Sequence, residues 1–273
     1  MIISSKIEFK RPKHQEMIKQ GYTLFDMHHH STYSDGIRTV PAIAKRAKKL
    51  GVGVAITDHN EIRGSIEISK IKDVNSIPGI EVTTKEGIHI LVYFYNINEM
   101  IEFYNHNILP NKTNESNHVN VPALDLIEIS KDHNCRIVAP HPYSINMEGI
   151  CSPLHTDFIN NKVLSRFDAI EAINGSILKN MNLNAISLAE TLNSGVTGGS
   201  DGHRLEVGKV VTYTKNPVLA ENFLDEIKNK NTFVTGRTNM VEKIATHSTK
   251  IKVAIKHPII YSKIGYDYLK QKM

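Results

Sequence analysis

The chain has 273 residues, 40% hydrophobic and 22% charged, enough apolar content for one sizeable core or two small ones. A net charge of +5 and a pI near 9.0 fit an acidic partner, a phosphorylated small molecule or a nucleic acid, although lysine-rich solvated helix faces account for it equally well. Cys135 and Cys151 have no CxxC spacing, which argues against a disulfide framework or a zinc finger, and no apolar run is long enough to span a bilayer. MIISSKIEFKRPKHQ carries no long apolar leader, so the expected location is the cytoplasm.

Strand and helix patterns alternate without a Gly/Ser-rich or Pro-rich linker, which predicts a single α/β domain. After a lead-in with a short helix near Gln15 to Gln20, Thr23 to His30 reads as the first strand. Alternation along it turns His28 and His30 to one face and His29 to the other. Asp35 follows in the turn-prone Ser34-Asp35-Gly36. Thr39 can cap a helix with Pro41 in its first turn, ending at Gly51. Val52 to Thr57 is a buried strand that runs into Asp58-His59-Asn60, where Asp58 either caps the next helix or orients a histidine.

A helix over Ile62 to Lys72 leads to a strand from Ser76 to Val82 carrying Glu81, and then to Ile88 to Tyr95, with His89 at its start. The Asn-rich piece from Asn105 to Asn120 reads as a surface excursion. Pro122 to His133 is predicted helical, and the strand Arg136 to Ala139 feeds Pro140-His141-Pro142. Ala169 to Asn174 is a strand bearing Glu171 and Asn174, more readily polar strand-end residues than functional ones. A helix over Leu178 to Asn193 precedes the strand Val196 to Gly199, which ends in Ser200-Asp201-Gly202-His203. A strand at Lys209 to Thr214, a helix at Pro217 to Lys230 and a basic tail follow, with a docking helix expected at Ile259 to Lys270.

Metal-capable residues therefore recur just past the ends of successive buried strands: His28 and His30, His59, Glu81, His141, then Asp201 and His203. Parallel strands joined by helical crossovers would gather those ends on one face, where barrel enzymes build their sites. His106, His118 and His133 fall on helices or loops and read as ordinary solvated residues.

The segments HHHSTYSDG, ITDHN, GIEVTTKEGIHIL, HPY and GGSDGH, in that order between Gly21 and Thr214, resemble the motifs of the PHP (polymerase and histidinol phosphatase) superfamily. The resemblance implies an α/β fold of one domain, a distorted TIM-like (β/α)7 barrel. From the chain's own pattern that barrel is expected over residues 23–233, with a lead-in at 1–22 and a basic extension at 234–273 expected to dock on it. The resemblance further implies two or three divalent metal ions at the C-terminal face. Matched motif by motif, His28, His30, Glu81 and Asp201 would hold one ion. Glu81, His89 and His141 would hold a second, and Asp35, His59 and His203 a third. Glu81, Asp201 and His203 would be the catalytic groups. All nine positions carry competent ligands, which argues against a degenerate copy. The segment between His89 and His141 is shorter than the insertion in family members that act as exonucleases or on nucleoside phosphates.

Imidazoles mixed with carboxylates suit Mn, Zn or Fe. Two cations sharing Glu81 would acidify a bridging water for in-line attack on phosphorus. Arg38 and Arg204 lie beside ligand motifs and could grip the phosphate. The leading expectation is hydrolysis of a small phosphomonoester. The alternatives are a nuclease for short oligonucleotides, a C–N hydrolase, and a non-catalytic metal-binding module.

Overall fold

The computed structural model describes residues 5–113, 118–144, 148–155 and 160–238. In chain order the strands are β1 (Ile7–Glu8), β2 (Thr23–His29), β3 (Gly53–Ile56), β4 (Gly79–Thr83), β5 (His89–Phe94), β6 (Cys135–Ala139), β7 (Ala169–Asn174), β8 (Gly195–Gly199), β9 (Val210–Thr214) and β10 (Phe233–Gly236). The α-helices are α1 (His14–Lys19), α2 (Val40–Leu50), α3 (Arg63–Ser69), α4 (Ile97–Phe103), α5 (Ala123–Ile129), α6 (Asn161–Leu164), α7 (Lys179–Thr191) and α8 (Ala220–Lys228). The expected docking helix at Ile259 to Lys270 lies outside the described residues. None of the described helices is long and apolar enough to cross a membrane.

The strands form two mixed five-stranded sheets, ordered β1-β10-β9-β2-β3 and β4-β5-β6-β7-β8. A closed ring of seven parallel strands is not what the ladders show. β9 runs antiparallel to both β2 and β10, and β5 runs antiparallel to both β4 and β6. For β4 and β5 the reason is connection length. Only five residues join β4 to β5, enough for a hairpin and too few for a parallel crossover. That hairpin pairs Thr83 with His89, so a residue at the start of β5 reaches the same end as the finish of β4.

The sheets meet along two seams. On one side, isolated bridges pair Val54 with Ser76 and His59 with Glu81. On the other, the Asp201 amide donates to the His28 carbonyl (2.8 Å) and the His30 amide to the Gly202 carbonyl (3.0 Å). Glycine makes this second seam possible. A Cβ on Gly199 would sit 2.3 to 2.8 Å from the Cβ, N and Cα of His28.

Helices cover the sheets with apolar stripes. α2 buries Val40, Ile43, Ala44 and Ala47 and stops at Gly51, whose φ of 69° suits glycine. Thr39 precedes it but makes no side-chain cap bond, contrary to expectation. The Asn-rich piece also departs from the loop reading. α4 continues into a wide helical turn at Tyr104–Ile108, because Met100, Phe103, Tyr104 and Ile108 all bury. A start signal was present, since Asn96 accepts from the Glu99 amide at 3.0 Å. A further core contact, Phe25 against Phe223 with centroids 4.6 Å apart, ties α8 to β2.

Candidate metal centre

β2 delivers the first two imidazoles. His28 and His30 are fully buried on one side, with Nε2 atoms 3.2 Å apart. His29 is equally buried but turned away, its Nδ1 2.9 Å from the His30 carbonyl. Burial drives the His29 pKa down to about 3, despite that carbonyl and aided by the neighbouring histidines, so its ring is neutral and its Nδ1–H donates.

Glu81 is the hub. Its Oε2 lies 3.2 Å from His28 Nε2, 3.3 Å from His30 Nε2 and 3.3 Å from His59 Nδ1. Its Oε1 lies 3.0 Å from His89 Nδ1 and 3.1 Å from His141 Nε2. Asp201 Oδ1 is 3.2 Å from His30 Nε2 and 3.5 Å from His28 Nε2. At the outer rim, Asp35 Oδ2 meets His203 Nε2 at 2.9 Å and His59 Nε2 at 3.8 Å.

These donors fit a cation. Two ligands at about 2.1 Å from a tetrahedral ion are separated by about 3.4 Å, close to the spacings seen. The Nε2 atoms of His28 and His30 lie 3.2 Å apart, and the Nδ1 atoms of His30 and His141 are buried without a hydrogen-bond partner. Four overlapping sets could hold an ion: His30/Asp35/His59/His203, His28/His141/Asp201, His28/His30/Glu81 and His59/Glu81/His89. All nine residues named from sequence come together. They share donors more widely than three separate groups, since His30 reaches the outer set through Nδ1 and His59 reaches Glu81.

The electrostatics reflect the same contacts. Burial alone would depress His28, but Glu81, Asp201 and Glu171 outweigh it and hold it well above its ordinary value. Burial is likewise overcome at His141, which Glu81 raises to about 9, and at His203, which Asp35 and Asp201 raise to about 10. Glu81 and Asp201, although buried, are held well below the carboxylate range by the surrounding imidazoles. His59 is the exception: burial pushes it to about 3, against the pull of Glu81. A divalent cation bound here would take the place of the protons that these raised histidines carry.

A supporting layer holds the ligands. Glu171 lies 3.1 Å from His28 Nδ1 and accepts from the His141 amide at 2.8 Å, and Asn174 donates to Glu171 (2.9 Å) and Asp201 (3.1 Å). These two strand-end residues therefore belong to the site. Asp26 was not singled out from sequence. It is fully buried, accepts from the Ser200 amide (2.8 Å) and the Gly208 amide (2.9 Å), and so fixes the loop bearing Asp201. Its period-2 place two residues before His28 was the available signal. Asp58 accepts from the Ser31 amide, Ser31 Oγ and Ser34 Oγ, each at 2.7 Å, anchoring the turn to Asp35 rather than bonding a histidine or capping a helix. His141 and Asp201 both take left-handed backbone (φ 28° and 46°), costly conformations that their surroundings over-determine. Arg38 and Arg204 are exposed, and their guanidiniums have no carboxylate partner among the described residues.

An α/β scaffold that gathers a buried histidine–carboxylate cluster at its strand ends has the donor set of a metal-binding protein. The PHP domain profile matches residues 26–233, and the chain belongs to that family. It is 34% identical over 134 residues to an uncharacterised protein of Methanocaldococcus jannaschii, covering 44% of this chain and 67% of that one. It is 38% identical over 78 residues to the 5'-3' exoribonuclease Rnm of Escherichia coli, covering 25% of this chain and 26% of that enzyme. A two-domain Bacteroides vulgatus protein, described as containing a predicted PHP-like metal-dependent phosphoesterase, superposes with a TM-score of 0.58 at 17% identity, over 86% of this chain and 69% of the other.

Proposed function

We propose that this chain is a metal-dependent phosphoesterase that hydrolyses a small phosphomonoester at a two- or three-metal centre, with residues 23–233 carrying the chemistry. The observation that carries this reading is Glu81. One buried carboxylate faces His89 and His141 with one oxygen and His28, His30 and His59 with the other, as a ligand shared between ions would. Bound divalent ions supply an acidified water and offset the charge on the phosphoryl oxygens.

The chain's own residues do the rest. His28, His30, Glu81 and Asp201 set the depth of the site, while Asp35 and His203, both partly exposed, form the rim that a phosphate meets first. Arg204 and Arg38 flank that rim and orient the phosphate by charge-assisted hydrogen bonds. Glu171 accepts from His28 Nδ1–H, which leaves Nε2 free as a ligand. Mn, Zn and Fe all suit the donor set.

A second reading, cleavage of short oligonucleotides, is favoured by the likeness to the exoribonuclease. Hydrolysis of p-nitrophenyl phosphate and of bis-p-nitrophenyl phosphate separates the two. Both are assayed on metal-stripped protein reloaded with Mn, Zn or Fe, with the metal counted. Metal-dependent turnover of the monoester alone supports the first reading, and preference for the diester supports the second. Bound metal without turnover of either would point to C–N hydrolysis, and absence of bound metal would overturn the assignment.

A further inference from the structure

A cavity of about 700 Å³ lies outside the histidine–carboxylate cluster, between α1, the C-terminal half of α2, the loop after His203 and the exit of β10. Its wall carries Arg11, His14, Arg46, Glu206, Lys209 and Arg237, four fixed positive charges against one carboxylate. The volume falls within the range of small-ligand sites. Glu206 is partly engaged already, since one carboxylate oxygen accepts from the Arg204 amide at 2.7 Å.

Nothing among the described residues neutralises the arginines. Among the described residues, Arg11, Arg46 and Arg237 have no carboxylate within ion-pair distance, and the buried Nε of Arg46 has no hydrogen-bond partner. That donor is therefore open to an acceptor that the described residues do not supply. His14 offers no negative charge. Its Nε2 is 2.7 Å from the Gly208 carbonyl, and burial, opposed by that carbonyl and reinforced by Arg46 and Arg11, lowers its pKa and favours the neutral ring. Residues 239–273, which follow Thr238 at the cavity edge, contain only Glu242 and Asp267 as acidic side chains amid several lysines.

We propose that this cavity binds a phosphate-bearing anion through Arg11, Arg46 and Arg237. Guanidiniums match phosphate oxygens two at a time, which explains arginine rather than lysine at three of the four cationic positions. The phosphate comes either from a free nucleotide or from the backbone of a short oligonucleotide. The second source is within reach because one loop serves both places. From His203 to Lys209 the backbone spans at most about 20 Å, and the Gly208 amide at the cavity is bonded to Asp26, two residues before His28. The inference goes beyond the phosphoesterase reading and does not depend on turnover.

The test is calorimetric titration of metal-stripped, full-length protein with 5'-AMP and, separately, with a five-residue oligoadenylate. Wild type is compared with the Arg46→Ala/Arg237→Ala double variant and with Arg237→Gln alone, which changes only an exposed side chain and guards against misfolding. Saturable AMP binding weakened at least tenfold in the double variant, and measurably in Arg237→Gln, identifies a free nucleotide as the source. Arginine-dependent binding of the oligoadenylate alone, with a reduced salt dependence in the variants, identifies the backbone phosphate. Binding of both probes unchanged by the substitutions, or no binding of either at millimolar concentration, overturns the proposal.

Discussion

The chemistry of the site rests on a few buried side chains, and each can be tested singly. His28→Ala or Asp201→Ala removes a ligand that touches two or more others, so both are expected to lower bound metal and cut turnover at least about 100-fold. His133→Ala should do neither, because that ring stands edge-on to Phe103, 5.1 Å away, and contacts Asn107, remote from the cluster. Full activity in both ligand variants would sink the assignment. Glu171→Gln is more discriminating. It keeps the shape but replaces the carboxylate facing His28 Nδ1, so metal affinity should fall by about 10- to 100-fold while the fold survives. Metal titration followed by circular dichroism checks both halves of that statement.

The β2–β8 seam gives the element-scale test. Only a hydrogen at Gly199 lets the two strands approach, and any Cβ there meets the backbone of β2. Gly199→Ala should therefore destabilise the protein by about 1–3 kcal/mol, the usual cost of overpacking a core that cannot give. It should also displace His28 and Asp201 relative to each other, so the denaturant midpoint and the metal content should fall together. A loss of stability with full metal content would show that the seam does not set the ligand geometry. The β4–β5 hairpin does comparable work on the far side, where five linking residues bring His89 back onto Glu81.

For the whole molecule, metal and stability are linked. An ion that binds only the folded state at about 100 times its dissociation constant adds about 2.7 kcal/mol. Reloading stripped protein with its preferred ion should accordingly raise the melting temperature, and Asp201→Ala should abolish the rise. A pH effect is expected far from the cluster, at His14. Its folded pKa is lowered, so the unfolded chain takes up the proton first, near 6.5. His14 therefore contributes stability that is fully present above 6.5 and lost as the pH falls toward the folded value. Melting temperatures from pH 8 to 5 should drop more steeply for wild type than for His14→Gln. Parallel curves would remove His14 from the account.

Most of the clustered residues could be singled out from sequence by residue type and strand-end position, and strand period places His28 and His30 on one face without any knowledge of the rest. Asp35 and His89 joined the ligand set through the family resemblance. The short strands and the stripe of α2 were legible as well, being set by contacts a few residues apart. Strand direction was not. Whether β5 and β9 run with or against their neighbours depends on which strand each pairs with, a choice made by long-range packing and, for β4 and β5 alone, by how few residues connect them. Glu171 and Asn174 illustrate the limit: as polar groups at the end of β7 they look ordinary. They acquire their roles only when the fold carries them to His28, His141 and Asp201, residues as much as 143 positions away along the chain.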